Sequence, residues 1–372
     1  MRILILADSN SPHTMKWAKS ISEQNISVCI FSIHRPDQNL YTEYPNIQLH
    51  SLNIDREVQF KGEADHSKLS YLKAIKVIRL IINDFKPDIL HSHYASSYGL
   101  LGALVKFHPF IISVWGSDVF SFPKRSFMHK LMLKYVFFSC DTILSTSENM
   151  KLETQQFTKK NIQVTPFGID TNLFRPIKNL HLFREDDLVI GTIKSLEKNY
   201  GIEYLVKSFK ILKDKYPLAN LKLLLVGQGS EEKHLKSLVH SLGIKEDTVF
   251  TGYVPHSEIQ NYHNILDIYV AVSLEESFGV SVLEASACMK PVVVSNVGGL
   301  SEVVQNGRTG FIVEKKNIES LVDALEKLFL NQNLRLSFGE NGREMVKTRF
   351  NWSDCISQMI SIYESISDFR KK

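Results

Sequence analysis

The chain is short of the features that would place it quickly. Its four cysteines, Cys29, Cys140, Cys288 and Cys355, are scattered along 372 residues. No pair has the spacing of a metal site or a disulfide framework, which fits a reducing compartment. No apolar run is long enough to span a bilayer. The opening run Met1 to Asp8 lacks the length and small-residue cleavage site of a signal peptide, so a cytoplasmic protein is expected. No repeat is evident at solenoid periods. Charge of one sign is also scarce. The net charge is +4, with 19 Lys+Arg against 15 Asp+Glu in residues 1–170 and 25 of each in the remainder. That excess is too mild for a nucleic-acid binder with a dedicated basic stripe. The first strand candidate runs into Ala7-Asp8-Ser9-Asn10-Ser11-Pro12-His13 with no glycine. The G-x-G-x-x-G turn of a nicotinamide dehydrogenase is therefore missing. No Asp-x-Asp pair stands at a strand end, so no metal is expected.

What is present is an ordinary globular composition, 44% hydrophobic and 23% charged, in a chain longer than one core usually serves. Short apolar, β-branched runs alternate with segments of helical period, which predicts α/β architecture with parallel sheets. In the first half the strand candidates are 3–7, 28–33, 47–52, 88–91, 110–114, 142–145 and 162–166, with helices such as 67–84 and 126–138 between them. The second half repeats the pattern at 188–193, 221–226, 248–251, 268–272, 291–295 and 310–313. Between the halves, Pro166 to Pro176 holds two prolines and a glycine and reads as a connector. The expected domains are 1–170, joined by a returning helix over 352–372, and 171–351. Two doubly wound domains bind ligands at the carboxyl ends of their strands, and a cleft between them is the default site.

The most informative stretch is Ser273 to Ala285. Two carboxylates, Glu276 and Glu284, bracket Gly279 where a strand gives way to a helix. Backbone N–H groups around Phe278, Gly279 and Val280, with the positive end of the helix dipole, favour an anion such as phosphate. Carboxylates on either side can hold hydroxyls, and hydroxyls flanking phosphates describe a nucleotide sugar. A solvated surface turn is the bland alternative.

Other strand ends add candidates. Ser11 or Asn10 can cap the first helix, with Pro12 near its first position, and His13 can face the cleft. His91-Ser92-His93 ends a strand, and one of His91 and His93, with His93 favoured, is the imidazole expected at the site. Trp115 offers an apolar face and one N–H donor. Asp118 either binds a sugar hydroxyl or caps the next helix. Lys194 and Lys198 follow a strand and can reach a diphosphate. Gly229 closes a Gly-Gln-Gly turn. Tyr253 and Val254 follow Gly252, where a backbone edge can pair with a nucleobase. The segment Phe120 to Phe138 has no acidic residue and mixes Lys/Arg with Phe and Met, a composition that suits a membrane-surface helix or a core helix with a basic edge.

Taken together, these residues resemble the retaining glycosyltransferases of family 4, which have the GT-B fold, and in particular those that build bacterial surface polysaccharide and lipopolysaccharide. The likeness rests on Glu276 through Glu284 as an E-x7-E element, on Glu284-Ala285, Pro291-Val292-Val293, Gly298-Gly299, Glu302 and Thr309-Gly310-Phe311, and on Pro166 to Pro176 and Asp267. The resemblance implies that Glu276 contacts the donor sugar, Glu284 holds the ribose hydroxyls, and the N–H groups around Gly279 take the diphosphate. Lys194 or Lys198 stands for the family's Arg/Lys pair, since Thr192 follows Gly191 where Arg is frequent. Trp115-Gly116 replaces the family's His-Gly, so the resemblance leaves either Trp115 or His93 to take the role of the missing histidine. Met289 stands where glycine is usual.

The expected activity is hexosyl transfer, metal-independent, from a UDP- or GDP-linked sugar to a hydroxyl acceptor, with front-face attack and no catalytic nucleophile. The donor is a substrate, and no cofactor is implied. The expected acceptor is a glycan or lipid-linked saccharide, worked on at the inner face of an anionic membrane. Two rivals are a catalytically silent nucleotide-sugar-binding subunit and a nucleotide-sugar epimerase.

Overall fold

The continuous apolar runs become strands because both faces of a parallel sheet are covered. Ile3 to Leu6, Val28 to Phe31 and Leu223 to Leu225 are all fully buried. The computed structural model describes residues 1–54, 64–177 and 182–371. The chain divides into two units, Met1–Pro166 with Cys355–Lys372, and Phe167–Asp354. The first boundary falls at Pro166, four residues before the expected Asp170.

The first unit contains β1 (Arg2–Leu6), α1 (Pro12–Ser22), β2 (Ser27–His34), β3 (Ile47–Ile54), α2 (Ala64–Phe85), β4 (Ile89–His93), α3 (Tyr98–Val105), β5 (Phe110–Val114), α4 (Ser117–Phe120), α5 (Phe127–Ser139), β6 (Thr142–Ser145), α6 (Glu148–Gln155) and β7 (Ile162–Val164). Its seven strands are all parallel, in the order β3-β2-β1-β4-β5-β6-β7. The order reverses at β1/β4, so the carboxyl ends of those strands flank the switch point where doubly wound sheets place ligands.

The second unit follows the same scheme with β8 (Leu188–Ile193), α7 (Ile202–Lys215), β9 (Leu221–Val226), α8 (Glu232–Ser241), β10 (Thr248–Phe250), α9 (His256–Ile265), β11 (Ile268–Ala271), α10 (Val280–Ala287), β12 (Val292–Ser295), β13 (Gly310–Val313), α11 (Ile318–Leu330) and α12 (Gln332–Arg349). Its six parallel strands run β10-β9-β8-β11-β12-β13. The switch here lies at β8/β11.

Helix α13 (Trp352–Lys371) begins in the second unit and carries the chain back into the first. Tyr363 Oη lies 2.7 Å from His91 Nδ1, and Gln358 donates to Val164 O at 2.9 Å. His91 Nε2 also meets Ser113 Oγ at 2.8 Å. This buried imidazole therefore serves the fold, tying α13 to β4 and β5.

One capping expectation is corrected. Ser11 occupies the N-cap position of α1 but makes no side-chain cap bond, and Pro12 begins the helix. The Asn10 side chain turns instead to Arg35 O and Asp37 N, at 3.0 and 2.9 Å. Among the described residues no helix is long and apolar enough to cross a membrane.

Candidate functional site

In the second unit the carboxyl ends of β8 and β11, paired neighbours, bring the expected donor residues together. Lys194 is the first residue past β8. Its Nζ lies 2.5 Å from Glu276 Oε2, and Ser273 Oγ reaches the same oxygen at 3.4 Å. The two side chains are only 11% and 12% exposed. Burial alone would lower the lysine's pKa, but Glu276 beside it outweighs that and holds the ammonium above its ordinary range. The Lys194 ammonium also sits 4.9 Å from the centroid of the Tyr200 ring. Lys198 is placed apart, exposed on a single 3-10 turn (Lys198–Tyr200). Of the two lysines, Lys194 is the one in contact with Glu276.

The backbone around Glu276 is fixed by glycine turns. Gly298 has φ +48°, and a Cβ there would stand 1.9 Å from Glu276 O, a clash no side chain can avoid. Gly299 N donates to that oxygen at 3.2 Å. Gly279 takes the N-cap of α10 at φ +109°, a conformation open to glycine. The first backbone bonds of the helix run from Val282 N and Leu283 N to Gly279 O, at 3.0 and 3.2 Å, so the N–H groups of Val280 and Ser281 lie ahead of the intrahelical ladder. Phe278 is buried between the rings of Phe167 and Phe350, with centroids 6.2 and 5.9 Å away. Its side chain anchors the loop, leaving the backbone as the part that can meet a ligand. Val280 is half-buried at the helix start.

Further along the sheet edge, Gly229 packs so closely that a Cβ would lie 2.4 Å from Leu196 O. The loop after β9 thereby leans on the loop that follows Lys194. Gly227 N donates to Gly252 O at 3.0 Å, and Tyr253 and Val254 leave this bridge exposed and half-buried respectively.

Glu284, on α10, is nearly buried, and each of its oxygens meets an imidazole. His256 Nε2 is 3.3 Å from Oε1, and His263 Nε2 is 3.4 Å from Oε2. Burial would raise the carboxyl's pKa, but the two histidines reverse this and bring it down to about 2. Sequence reasoning missed both histidines. The available signal was their i, i+7 spacing, which puts them on one face of α9.

The first unit gathers its expected residues at the ends of β4 and β5. His93 packs against Trp115 at a centroid distance of 4.3 Å and edge-on against His91 at 4.8 Å. His13 meets the Trp115 ring at 5.8 Å. His93 is 2% exposed, with Nδ1 3.4 Å from Thr14 Oγ1. Burial, then the neighbouring His91 and His13, push its pKa well down. The imidazole expected to line an open cleft is thus a buried, neutral ring packed on Trp115, His91 and Thr14. Asp118 is corrected as well. It is 1% exposed, and its carboxylate accepts from the N–H groups of Ala95 (2.8 Å), Trp115 (3.2 Å) and Gly116 (2.9 Å). It holds the turn that presents Trp115 rather than facing a ligand. Met289, at φ +60° just past α10, takes the left-handed conformation that explains a glycine preference there.

Helix α5 exposes Phe127, Met128, Leu131, Tyr135 and Phe138, the first and last at 72% and 81%. A cavity of about 530 Å³ at its end is lined by Lys134, Phe138, Phe157, Thr158, Lys159 and Lys160.

Two family models match the chain: "Glycosyl transferases group 1" over residues 174–345 and "Glycosyl transferase 4-like" over residues 2–147. A glycosyltransferase of Methanocaldococcus jannaschii is 29% identical over 91% of this chain and 90% of its own length. The capsular polysaccharide biosynthesis glycosyltransferase CapM of Staphylococcus aureus is 28% identical over 97% and 96%. The Anabaena protein HepE, solved with UDP and glucose, superposes with a TM-score of 0.80 at 18% identity, covering 98% of this chain and 100% of its own. With two Rossmann-like parallel sheets and both halves matched, this chain belongs to the family 4 glycosyltransferases of GT-B fold.

Proposed function

We propose that the protein transfers a hexose from a UDP- or GDP-linked sugar to a hydroxyl of a lipid-linked or surface glycan, with retention at the anomeric carbon and without a metal ion. The observation that carries this reading is the Lys194–Glu276 pair, three residues before the N-cap of α10, with Glu284 further along the same helix. Glu276 accepts hydrogen bonds from the sugar's hydroxyls. Lys194, helped by Lys198 and the helix start, takes the charge that develops on the departing diphosphate. The acceptor oxygen bonds to the anomeric carbon as the carbon–phosphate oxygen bond breaks, and the acceptor's proton passes to the leaving diphosphate. Positioning and electrostatic stabilisation then supply the catalysis.

The acceptor class draws support from the printed role of the Staphylococcus aureus relative in capsular polysaccharide biosynthesis. A UDP donor draws support from the ligands of the Anabaena structure. Attachment to an anionic membrane, at its cytoplasmic face, draws support from α5. Its exposed Phe127, Met128, Leu131, Tyr135 and Phe138 form a stripe beside Lys124, Arg125, Lys130 and Lys134, with no acidic residue between Phe120 and Phe138.

The test is a panel of UDP- and GDP-sugars followed for nucleotide release, with the product's anomeric configuration read by NMR. Release of nucleotide with a retained glycoside, unchanged by EDTA, is the expected result. An inverted glycoside or an EDTA-sensitive rate would sink those parts of the reading. Binding without release points to a silent subunit, and an inverted C2 centre to an epimerase.

A further inference from the structure

Helix α9 carries two histidines two turns apart, and both meet one buried carboxylate. His256 takes Glu284 Oε1 and His263 takes Oε2. Phe174 packs edge-on against both imidazoles, with centroids 5.9 and 6.0 Å away, and Tyr269 closes the other side of His263 at 5.5 Å. His263 is fully buried and His256 is largely exposed.

An ionised carboxylate only accepts hydrogen bonds, so each facing nitrogen must carry a proton. Burial, the largest influence on His263, lowers its pKa and keeps it neutral. Its proton is then fixed on Nε2. Nδ1 is left as a buried acceptor with no partner among the described residues. An unsatisfied buried nitrogen is destabilising and unusual. The fold accepts it at the one place where the ring's other nitrogen holds Glu284.

The remaining charged groups nearby are directed elsewhere. Lys290, after α10, donates to Asn264 O at 2.9 Å. Tyr269 Oη lies 2.8 Å from Ser281 Oγ. Lys194 is bound to Glu276. Among the described residues no ammonium or guanidinium pairs with Glu284, so the two imidazoles alone orient it.

We propose that His256 and His263 are positioning residues for the ribose of the nucleotide, clamping Glu284 so that one lone pair on each oxygen projects toward the ribose 2′- and 3′-hydroxyls. This rests on the reading of Glu284 as the ribose carboxylate. A carboxylate offers about four lone-pair directions. The histidines occupy one on each oxygen, and a vicinal diol needs one on each.

The experiment compares binding of a ribonucleoside diphosphate with its 2′,3′-dideoxy analogue by calorimetry, using whichever of UDP, GDP and ADP most raises the melting temperature. The full chain is measured as wild type, Glu284→Gln, His263→Leu, His263→Gln and His256→Ala. Wild type should prefer the ribonucleotide by roughly tenfold or more. His263→Leu should reduce that preference to within about twofold, as expected for loss of a hydrogen bond to a charged group, while dideoxy binding stays as in wild type. His263→Gln, whose amide can still donate, should regain part of the preference, and His256→Ala should lower it in the same direction. If Glu284→Gln loses the preference but the histidine variants keep it, the positioning role is overturned and the ribose reading stands. Equal loss of both ligands in His263→Leu would make the residue structural support only and also overturn the proposal. A full preference in Glu284→Gln, or no binding of any nucleotide, overturns the ribose reading itself. Should His263→Leu fail to fold, His256→Ala, an exposed position, decides the matter.

Discussion

Lys194 Nζ and Glu276 Oε2 stand 2.5 Å apart and join the end of β8 to the loop after β11. The contact ties the two strands at the topological switch of the second sheet. It also keeps a nearly buried cation and anion compensated until a ligand offers each a new partner.

Breaking this pair on one side leaves the other charge buried without compensation. Lys194→Met and Glu276→Leu should each lower unfolding free energy, on the order of 3 kcal/mol. The double variant should recover most of that loss and still lack transferase activity. Urea melts beside turnover assays check this. Recovery of activity in the double variant would show that the pair serves only the fold.

Gly298 sets the height of the Glu276 backbone. Gly298→Ala places a Cβ where Glu276 O now lies, in a left-handed conformation. Turnover should fall more than tenfold, with the loss also visible as weaker binding of intact donor sugar. An alanine variant with unchanged kinetics would mean that the turn does not shape the site.

Asp118 holds three backbone N–H groups and faces no open surface. Asp118→Ala should lower stability by at least about 2 kcal/mol, while the KM for acceptor in the folded fraction stays as in wild type. A raised acceptor KM at unchanged stability would return it to a substrate-contact role.

Acid sensitivity should appear in two windows. His91, fully buried, has its pKa lowered by burial to about 3 from an ordinary 6.5. Its contribution is complete above pH 6.5 and is lost as pH falls toward 3. Glu284 is lowered to about 2 from 4.5, the two histidines overcoming the effect of burial. Its contribution is complete above 4.5 and is lost as pH falls toward 2. Urea midpoints from pH 8 to pH 2 should therefore decline in both ranges, and Glu284→Gln should flatten only the lower one.

The exposed stripe of α5 gives a prediction separable from catalysis. The wild-type chain should co-sediment with vesicles containing anionic phospholipid at low salt, and less with purely zwitterionic vesicles or at high salt. Phe127→Ser with Phe138→Ser should abolish the binding while donor turnover in solution persists. Absence of binding to anionic vesicles at low salt removes the membrane attachment from the account.

Most of the fold was legible because parallel strands, buried on both faces, keep continuous apolar runs. Phe110–Val114, Leu188–Ile193 and Gly310–Val313 coincide with their predicted limits. β4 extends past its predicted end at His91, because His91-Ser92-His93 is polar by composition yet wholly buried. The helix start at Val280 was readable from Gly279. What could not be read were tertiary choices. Nothing in the local sequence says that Lys194 and not Lys198 meets Glu276, that Asp118 folds back onto Ala95, or that two histidines on a polar helix converge on Glu284. Those contacts depend on how neighbouring strands and helices pack, and a single sequence carries no pattern for them.

The central claim is a divided donor clamp, with Glu276 on the sugar and Glu284 on the ribose. Calorimetric titration of a nucleoside diphosphate and the matching nucleotide sugar into wild type, Glu276→Gln and Glu284→Gln tests it most directly. Glu284→Gln should weaken both ligands alike, and Glu276→Gln should weaken only the nucleotide sugar. Equal effects of the two substitutions on both ligands, or no effect of either, would contradict the account.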